Sequence, residues 1–522
     1  MGTEIFTRYR NDLIAMLFIL LLGGIIQHAY MKEFPSFIHA WAQNDRYAMA
    51  IAFTENGMDL FHPETMIYNK QFPDWWQTAS ESTVTSVDFP IHEYAVAAWM
   101  KLFHTTAPWV FRYWTLLLSF FGMFFLYRTA LLLSRDFLKS LLVVGIAMTA
   151  PVYAYYFNGF LPGIPAFAFG VFGIWAYLKH VKGDRLKFFF IAMAAITLSM
   201  LMRTTFVIEW VAVLCYELLR VIRRQTSLSG KWCGVLVPLL LFTGYYLWNA
   251  HLRKQYGTLF LSELLPPHGM DEARSLLKDT WDNWILEYFQ PVHYVLMLLI
   301  FLGAAVSGIR RHRLPGDILL LPLIYLFGCL LFLIAMMFQF PHHDYYFIDT
   351  FFLPLLLLLC IGLGEIPCPD ARGIRIAAII VLTAVCGYML CKVHQTQVER
   401  RWTEDRAYLC YRHFIGSAAY LDSLGIARDA RLLTLYAYPQ NAPFIQMERK
   451  GFTVMEHKTE LVEAALQFPF DYIIIENEVV RHFFEERKAC IGRLERLADN
   501  GQICVCTLAD SIVSPDYETF FK

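Results

Sequence analysis

Long apolar segments alternate with short charged ones along most of the chain. Runs of about 20 apolar residues have the length that an α-helix needs to cross the hydrocarbon core of a bilayer. The pattern therefore predicts a mainly α membrane protein, a polytopic bundle of about eleven transmembrane helices. The predicted spans lie near residues 12–30, 109–127, 139–157, 163–179, 187–202, 206–222, 232–250, 291–309, 317–339, 345–364 and 374–392.

Lysines and arginines gather at alternate ends of these spans. Six consecutive segments that fall on one side carry arginine, lysine or both, from Arg8 and Arg10 to Arg372 and Arg375. Positively charged loops stay in the cytoplasm. We therefore expect a cytoplasmic N-terminus and, after an odd number of spans, an extracytoplasmic C-terminus. Leu13 to Ala29 is too long for a cleaved signal segment and is expected to stay as the first helix.

The long outer segment 31–108 has a helical pattern of its own. Tyr47 to Phe53 has the apolar spacing of a short helix lying against a membrane surface, which Gly57 ends. Ile91 to Phe103 is a second amphipathic stretch, and the Trp75–Trp76 pair suits an interfacial aromatic belt. A second outer segment, 251–290, is also partly amphipathic, with Trp281 and Trp284 on one face. Together these segments predict a roofed cavity that opens outward.

The last 130 or so residues have a different pattern. Charges become frequent, and short strand-like runs alternate with helical ones. The pattern predicts a transmembrane domain over 1–392 and a small extracytoplasmic α/β domain over 393–522. The strands are expected at 431–436, 471–476 and 502–508, and the helices at 404–423, 459–467 and 477–499.

Composition narrows the class of function. The chain of 522 residues is 57% hydrophobic and 17% charged, and its formal net charge is −1. A soluble protein of this length carries more charge, and a neutral chain has no basic surface for nucleic acid. The 11 cysteines show no metal-ligand spacing. Cys504 and Cys506 are expected to point to the same face of a predicted strand. Two such cysteines can form a redox pair or a disulfide, but more often they are part of the packed core.

The first outer segment carries the acid of greatest interest, Asp45, which stands beside Arg46 and Tyr47. An acid held at the rim of a membrane protein is suited to catalysis. Asp is also a preferred residue at a helix N-cap. The pattern alone leaves both interpretations open.

Further polar residues stand at predicted outer ends of spans and on the outer loops. His342, His343 and Tyr345 in FPHHDYY suit an anionic headgroup, although an aromatic belt or, less well, a metal site also fits. Arg203 in MRTTF is suited to binding a phosphate or to snorkelling toward the interface, and Arg253 is a weaker candidate on an expected loop.

Pro90 opens a helix for which Asp88 is the expected cap, and His92 and Glu93 fit its solvated face. Inside the spans, Glu209 and Glu217 fit helix contacts as well as catalysis.

The order of several segments resembles the GT-C-fold integral membrane glycosyltransferases over roughly residues 10–365. The likeness is to protein O-mannosyltransferases and lipid A aminoarabinose transferase. The segments, in chain order, are NGMDLFHP, FPIHEYAVAAWMKLF, RYWTLLLSFFGMFFLYRTALLL, PVYAYYFNGFLPGIPAF, MRTTF and HHDYYFIDTFFLPLLLL.

The resemblance implies a polyprenyl-phosphate-linked sugar as donor, transferred with inversion on the outer face to an unspecified acceptor. Asp45 falls where the family places a catalytic acid, so its implied role is that of general base. Implied contacts to the donor phosphate are Arg203 and His343, supported by Arg46, His342 and Tyr345. Residues that would line the acceptor cavity are Tyr47, Asp88, Glu93 and Arg253.

The chain departs from the family pattern at three places. Gln43 and Asn44 precede a single acid where many relatives carry a carboxylate pair. Asp88 and Phe89 stand where some relatives have a lysine, and Gly163 stands where others have an aspartate. These departures affect the residues that would contact the donor phosphate and the position of any second catalytic acid. No DxD triplet occurs in the outer loops, so no obligatory metal is expected.

Two other classes of protein fit the apolar pattern. A transporter or flippase for lipid-linked glycans would show repeated halves and chains of charges near the bilayer midplane. The sequence shows neither repeats nor such central charge chains. A non-catalytic scaffold would tolerate substitution of Asp45. The sequence therefore favours a glycosyltransferase in a bacterial inner membrane.

Overall fold

The computed structural model describes residues 2–183, 185–261, 263–310, 316–367, 372–456, 458–480, 492–514 and 516–521. Most of them are helical. The helices are α1 Gly2–Gln27, α2 Ala40–Glu55, α3 Ile91–Phe103, α4 Pro108–Ser134, α5 Phe137–Thr149, α6 Pro151–Tyr156, α7 Gly163–Gly183, α8 Leu186–Met202, α9 Val207–Ile222, α10 Trp232–Tyr256, α11 Met270–Tyr288, α12 Pro291–Arg310, α13 Leu320–Ala335, α14 Leu353–Glu365, α15 Arg372–Glu399, α16 Arg406–Phe414, α17 Ser417–Ser423, α18 Ala442–Met447, α19 Thr459–Ala465 and α20 Tyr517–Phe521. The strands are β1 Leu432–Leu435, β2 Gly451–Val454, β3 Tyr472–Glu476, β4 Leu494–Asp499 and β5 Ile503–Leu508.

The chain forms two compact units, each assembled from three segments. The helical unit comprises Met1–Lys32, Phe111–Tyr245 and Glu263–Glu399. The mixed unit comprises Glu33–Val110, Tyr246–Ser262 and Arg400–Lys522. The mixed unit thus joins the first long outer segment to the C-terminal region.

The helical unit carries the membrane-spanning character. Within the described part of the chain, 8 helices are long and apolar enough to cross a membrane, which makes this a multi-pass membrane protein. The other predicted spans coincide with the shorter helices α5, α8 and α9, so the count of eleven stays a prediction. Many leucines and isoleucines of the long helices are exposed, as expected of side chains that face lipid.

One predicted span is interrupted. The apolar run 139–157 was expected as a single helix, but it divides into α5 and α6. Pro151 lacks an N–H and restricts the residue before it, so Ala150 is extended at ψ 120° and the helix restarts with the proline in its first turn.

The mixed unit contains a five-stranded sheet in the order β2-β1-β3-β5-β4. Strands β1, β2 and β3 are parallel, and β5 pairs antiparallel with β3 and β4. The three predicted strands are present as β1, β3 and β5. The helix predicted over 477–499 is wrong at its end, because Leu494–Asp499 is β4; residues 481–491 lie outside the described residues. Cys504 and Cys506 are buried core of β5 with free thiols.

The first outer segment pairs with the edge of this sheet. Gly451 of β2 donates its N–H to the carbonyl of Met66 at 3.0 Å and accepts from Tyr68 N–H at 2.9 Å. The Asn69 side chain accepts from Thr453 N–H at 3.0 Å and donates to Thr453 O at 2.8 Å. These contacts cover an edge strand whose backbone groups would otherwise be open to other chains.

Two elements of that segment differ from the sequence predictions. The helix around Asp45 is longer than expected, begins at Ala40, and is buried within the mixed unit along Tyr47–Phe53, so the interpretation as a surface helix is wrong. Trp76 is fully buried rather than interfacial. Helix α3 has the predicted bounds, and Gly57, at φ 73°, follows the end of α2 as expected.

Candidate functional site

Asp45 lies inside helix α2 and does not cap it, because the N-cap is His39. The residue is 1% exposed. Gln440 Nε2 donates to its two carboxylate oxygens at 2.9 and 3.0 Å, and Asn441 Nδ2 donates to Oδ1 at 2.7 Å. The carboxylate is therefore buried and held by side-chain amides from the C-terminal region. The interpretation of Asp45 as a helix cap is wrong.

Burial raises the pKa of Asp45 to about 7, since a charged carboxylate loses hydration there. Hydrogen bonds from Asn441 and Gln440, the charge of Arg46 and a hydrogen bond from Trp41 lower it in part. A carboxyl that titrates near neutral pH can both take up and release a proton under ordinary conditions. This is the property expected of a general base.

Arg46 lies beside Asp45 and contacts two further acids. Its Nη1 donates to Glu93 at 3.1 Å and its Nη2 to Asp88 at 3.4 Å, and its guanidinium lies 4.6 Å from the ring centre of Phe260. The structure thus brings together three residues predicted for phosphate or acceptor contacts. Tyr47 is nearby in sequence, and its hydroxyl donates to Thr106 O at 2.5 Å.

Three predictions about residues near the outer segments are wrong. Asp88 does not cap α3, whose N-cap is Pro90 without a side-chain hydrogen bond. His92 and Glu93 are buried and do not form a solvated face. Arg253 is exposed on the last turn of α10 rather than on a loop. Arg46 pairs with Asp88 and Glu93, and α10 extends past Arg253 to Tyr256, so tertiary pairing and helix length override the local pattern.

A second charged group lies within the helical unit. Arg203 ends α8, and its Nε donates to Asp349 Oδ2 at 2.6 Å. Its guanidinium lies 5.7 and 5.4 Å from the ring centres of Tyr345 and Tyr346. His343 contacts Tyr345 edge-on with the ring centres 5.3 Å apart, whereas the neighbouring His342 is exposed. The predicted Arg203, His343 and Tyr345 are therefore in one cluster.

Asp349 was not predicted as a site residue, although an acid inside an apolar segment is a recognised signal of function. Its side chain is 1% exposed. Gln440 and Asn441 were missed for a different reason. They lie almost 400 residues after Asp45 in sequence, in a segment where no periodicity or charge marks them.

Gly163, at the start of α7, makes room for Asp349. A Cβ at this position would lie 2.2 Å from Asp349 Oδ1. The glycine therefore allows the carboxylate to lie close to the first turn of α7.

Gly163→Ala should force Asp349 away and disturb its bond to Arg203. Overpacking of this kind lowers the free energy of unfolding by about 1–3 kcal/mol, which thermal unfolding in detergent would detect. Gly24→Ala in α1 is the matched control, because its Cβ would meet nothing within 4 Å. Equal stability of the two variants would contradict the close approach.

The two glutamates within predicted spans differ. Glu217 accepts from Tyr177 at 2.7 Å and Arg220 at 2.8 Å, and also pairs with Lys231 at 2.5 Å. Glu209 is fully buried, and within the described residues its carboxylate oxygens have no hydrogen-bond partner. A Cβ on Gly170 would lie 2.4 Å from Glu209 Oε2, so Glu209 lies close to α7. Glu217 also contacts α7, through Tyr177, and both acids therefore form helix–helix contacts.

Comparison with solved structures identifies the architecture. ArnT from Cupriavidus metallidurans, solved with bound undecaprenyl phosphate, aligns over 96% of this chain and 99% of its own with a TM-score of 0.59 and 11% identity. The chain has the GT-C fold. The arabinofuranosyltransferase AftD from Mycobacteria aligns over 97% of this chain and 42% of its own, with a TM-score of 0.56 and 13% identity.

Two further comparisons bear on the GT-C fold. The oligosaccharyltransferase AglB from Archaeoglobus fulgidus, in complex with an inhibitory peptide and a dolichol-phosphate, covers 97% of this chain and 75% of its own at a TM-score of 0.51 and 11% identity. Residues 88–248 match a family model described as dolichyl-phosphate-mannose-protein mannosyltransferase. No curated protein matches the chain. The GT-C resemblance drawn from the sequence is confirmed.

Proposed function

We propose that this GT-C protein is a membrane glycosyltransferase that moves a sugar from a polyprenyl-phosphate-linked donor to an acceptor hydroxyl. The proposal places the reaction on the extracytoplasmic face of a bacterial inner membrane, with inversion at the anomeric carbon. The observation that carries it is Asp45, a buried carboxylate with a near-neutral pKa in a chain with this fold.

In the proposed step Asp45 accepts the proton of the acceptor hydroxyl. The acceptor oxygen forms a bond to the anomeric carbon while the bond from that carbon to the phosphate oxygen breaks. The lipid phosphate leaves with the electron pair. Attack from the side opposite the leaving group gives inversion, and a positioned base lowers the barrier by removing the proton as the new bond forms.

The leaving phosphate needs positive charge, and Arg203 is our candidate for it. A guanidinium presents donors in a fork that matches phosphate oxygens. Asp349 fixes this guanidinium through Nε, and the rings of Tyr345 and Tyr346 lie against it. A fixed guanidinium loses little side-chain entropy when a phosphate binds.

Two solved relatives carry lipid phosphates, undecaprenyl phosphate in ArnT and dolichol-phosphate in AglB. These ligands support a lipid-linked donor for this chain. The matched family model, named for a dolichyl-phosphate-mannose reaction, supports the same class of donor. The absence of an obligatory metal stays a prediction.

Purified protein in detergent tests the proposal. The donors are undecaprenyl phosphates that carry a hexose, a pentose or an aminopentose, and a bacterial envelope extract supplies acceptors. Mass spectrometry should detect release of undecaprenyl phosphate together with sugar incorporated into the extract, for at least one donor. A transporter would leave every donor intact, which would overturn the proposal.

The same assay should depend on pH through Asp45. Only the ionised carboxylate can accept the proton, so kcat/KM should fall as the pH drops below about 7. An ordinary aspartate would keep its activity down to about pH 4. A pH–rate profile without a loss between pH 7 and 5 would contradict the role of this buried acid.

A further inference from the structure

The two amides at Asp45 come from a short segment between β1 and α18. Gln440 and Asn441 are both fully buried, and both direct their Nδ or Nε groups to the carboxylate. Three hydrogen bonds of 2.7 to 3.0 Å therefore join the C-terminal region to helix α2.

The orientation of Asn441 is fixed by two independent contacts. Its Oδ1 accepts from the backbone N–H of Met66 at 3.1 Å, so its Nδ2 must be the atom that faces Asp45. A carboxylate can only accept hydrogen bonds, which agrees with this assignment. Asn441 is thus anchored on both sides.

Gln440 is held differently. Its Nε2 bonds both oxygens of Asp45, and within the described residues its Oε1 has no hydrogen-bond partner. The side-chain hydrogen bonds of Gln440 in the described part of the chain therefore go to the Asp45 carboxylate.

The segment is held near α2 by the rest of the mixed unit. The pairing of Met66 and Tyr68 with Gly451 attaches the first outer segment to β2. Trp41 of α2 also packs edge-on against Tyr438, with ring centres 5.9 Å apart. The amides are therefore presented by a packed framework rather than by a loose loop.

Besides the two neutral amides, charged and titratable groups also act on this carboxylate. Within the described residues these groups include Arg46 of α2, Lys70 of the first outer segment and Tyr438. Burial is the largest influence on the pKa of Asp45 and raises it, and the two amides oppose it. Hydrogen bonds to the charged form favour ionisation.

We propose that Gln440 and Asn441 are positioning residues for Asp45, whose amides orient the carboxylate and stabilise its ionised form. The inference rests on the proposed function for the role of Asp45 as a base. The C-terminal region then takes part in catalysis through the base without touching the substrate.

The test measures the protonation of Asp45 directly. Infrared titration of the purified protein follows the carboxylic C=O band that Asp45→Asn removes, and its midpoint should lie near pH 7. Gln440→Met keeps the length of the side chain and removes only the amide. A hydrogen bond to a charged group corresponds to roughly one to two pH units, so the midpoint and the acid limb of kcat/KM should both move upward by about that amount.

Asn441→Asp is the second variant. It keeps an acceptor for Met66 N–H but places a second carboxyl beside Asp45, so that the pair shares a proton and the last proton leaves at higher pH. Asn477→Asp is the matched control, because Asn477 Nδ2 also donates to a carboxylate, Asp499 Oδ1, at 2.8 Å after β3. The control should leave the pH profile unchanged.

The outcomes separate the inference from the proposed function. Unmoved midpoints in Gln440→Met and Asn441→Asp, in a protein that still transfers sugar, would overturn the positioning role alone. An upward shift that Asn477→Asp also produces would show a general loss of packing and would likewise overturn it. A wild-type protein that transfers no sugar from any donor would overturn the proposed function, whatever the midpoints do.

Discussion

Asp45→Asn should reduce the rate of sugar transfer by about 10²–10⁴-fold, which is the range for loss of a general base. The new amide has the shape of the carboxylate but cannot accept the acceptor's proton. Turnover would be measured as released undecaprenyl phosphate under saturating donor. Binding of the donor should change little, so the loss should fall on kcat rather than on KM.

The fold should tolerate this change. Asn441 can still donate to the oxygen of the new amide, while Gln440 can turn its own amide and present Oε1, which has no partner within the described residues. Removal of a buried carboxylate also removes its desolvation cost. Thermal unfolding should therefore be close to that of the wild type.

Asp59→Asn is the matched control for Asp45→Asn. It makes the same chemical change in the same outer segment, but the Asp59 side chain is 49% exposed and pairs with His62 at 2.8 Å. This control should keep wild-type turnover. Full turnover of Asp45→Asn would show that Asp45 is not the general base of the reaction.

The positions of the helices could be predicted because they depend on local patterns. Apolar period and length define α3 and the long helices, and Gly57 marks the end of α2 in the sequence itself. Strand β2 could not be found this way. It has four residues, and it is a strand because β1 on one side and the first outer segment on the other supply its hydrogen bonds.

The candidate site was predictable only in part, and the reason is distance along the chain. Asp45, Arg46 and Arg203 could be selected because a charge beside apolar residues is visible locally. Their partners could not, since Asn441 and Asp349 are joined to them by tertiary contacts. Asp88 shows the same limit, because its partner Arg46 outweighs the local preference for a helix cap.

Arg203→Ala should weaken binding of undecaprenyl phosphate by roughly 10–150-fold, the effect of one hydrogen bond to a charged group worth about 1.5–3 kcal/mol. Native mass spectrometry of the detergent-purified protein would measure the bound lipid across a titration. Asp45→Asn should keep its affinity in the same titration, because the base and the phosphate contact are separate in this proposal.

A simple loss of Arg203 would also remove a charged partner from Asp349, whose side chain is only 1% exposed. The double variant Arg203→Ala with Asp349→Asn removes both charges and separates lost binding from lost stability. Arg223→Ala is the matched control, because Arg223 also pairs with an aspartate, Asp317, at 2.9 Å but lies at a predicted cytoplasmic end of a span.

If the double variant binds the lipid as tightly as the control does, Arg203 is not the phosphate contact, and the donor site must be sought among other cationic residues. If only the variants of Arg203 lose the lipid while Asp45→Asn retains it, binding and proton transfer are divided between the two groups as proposed.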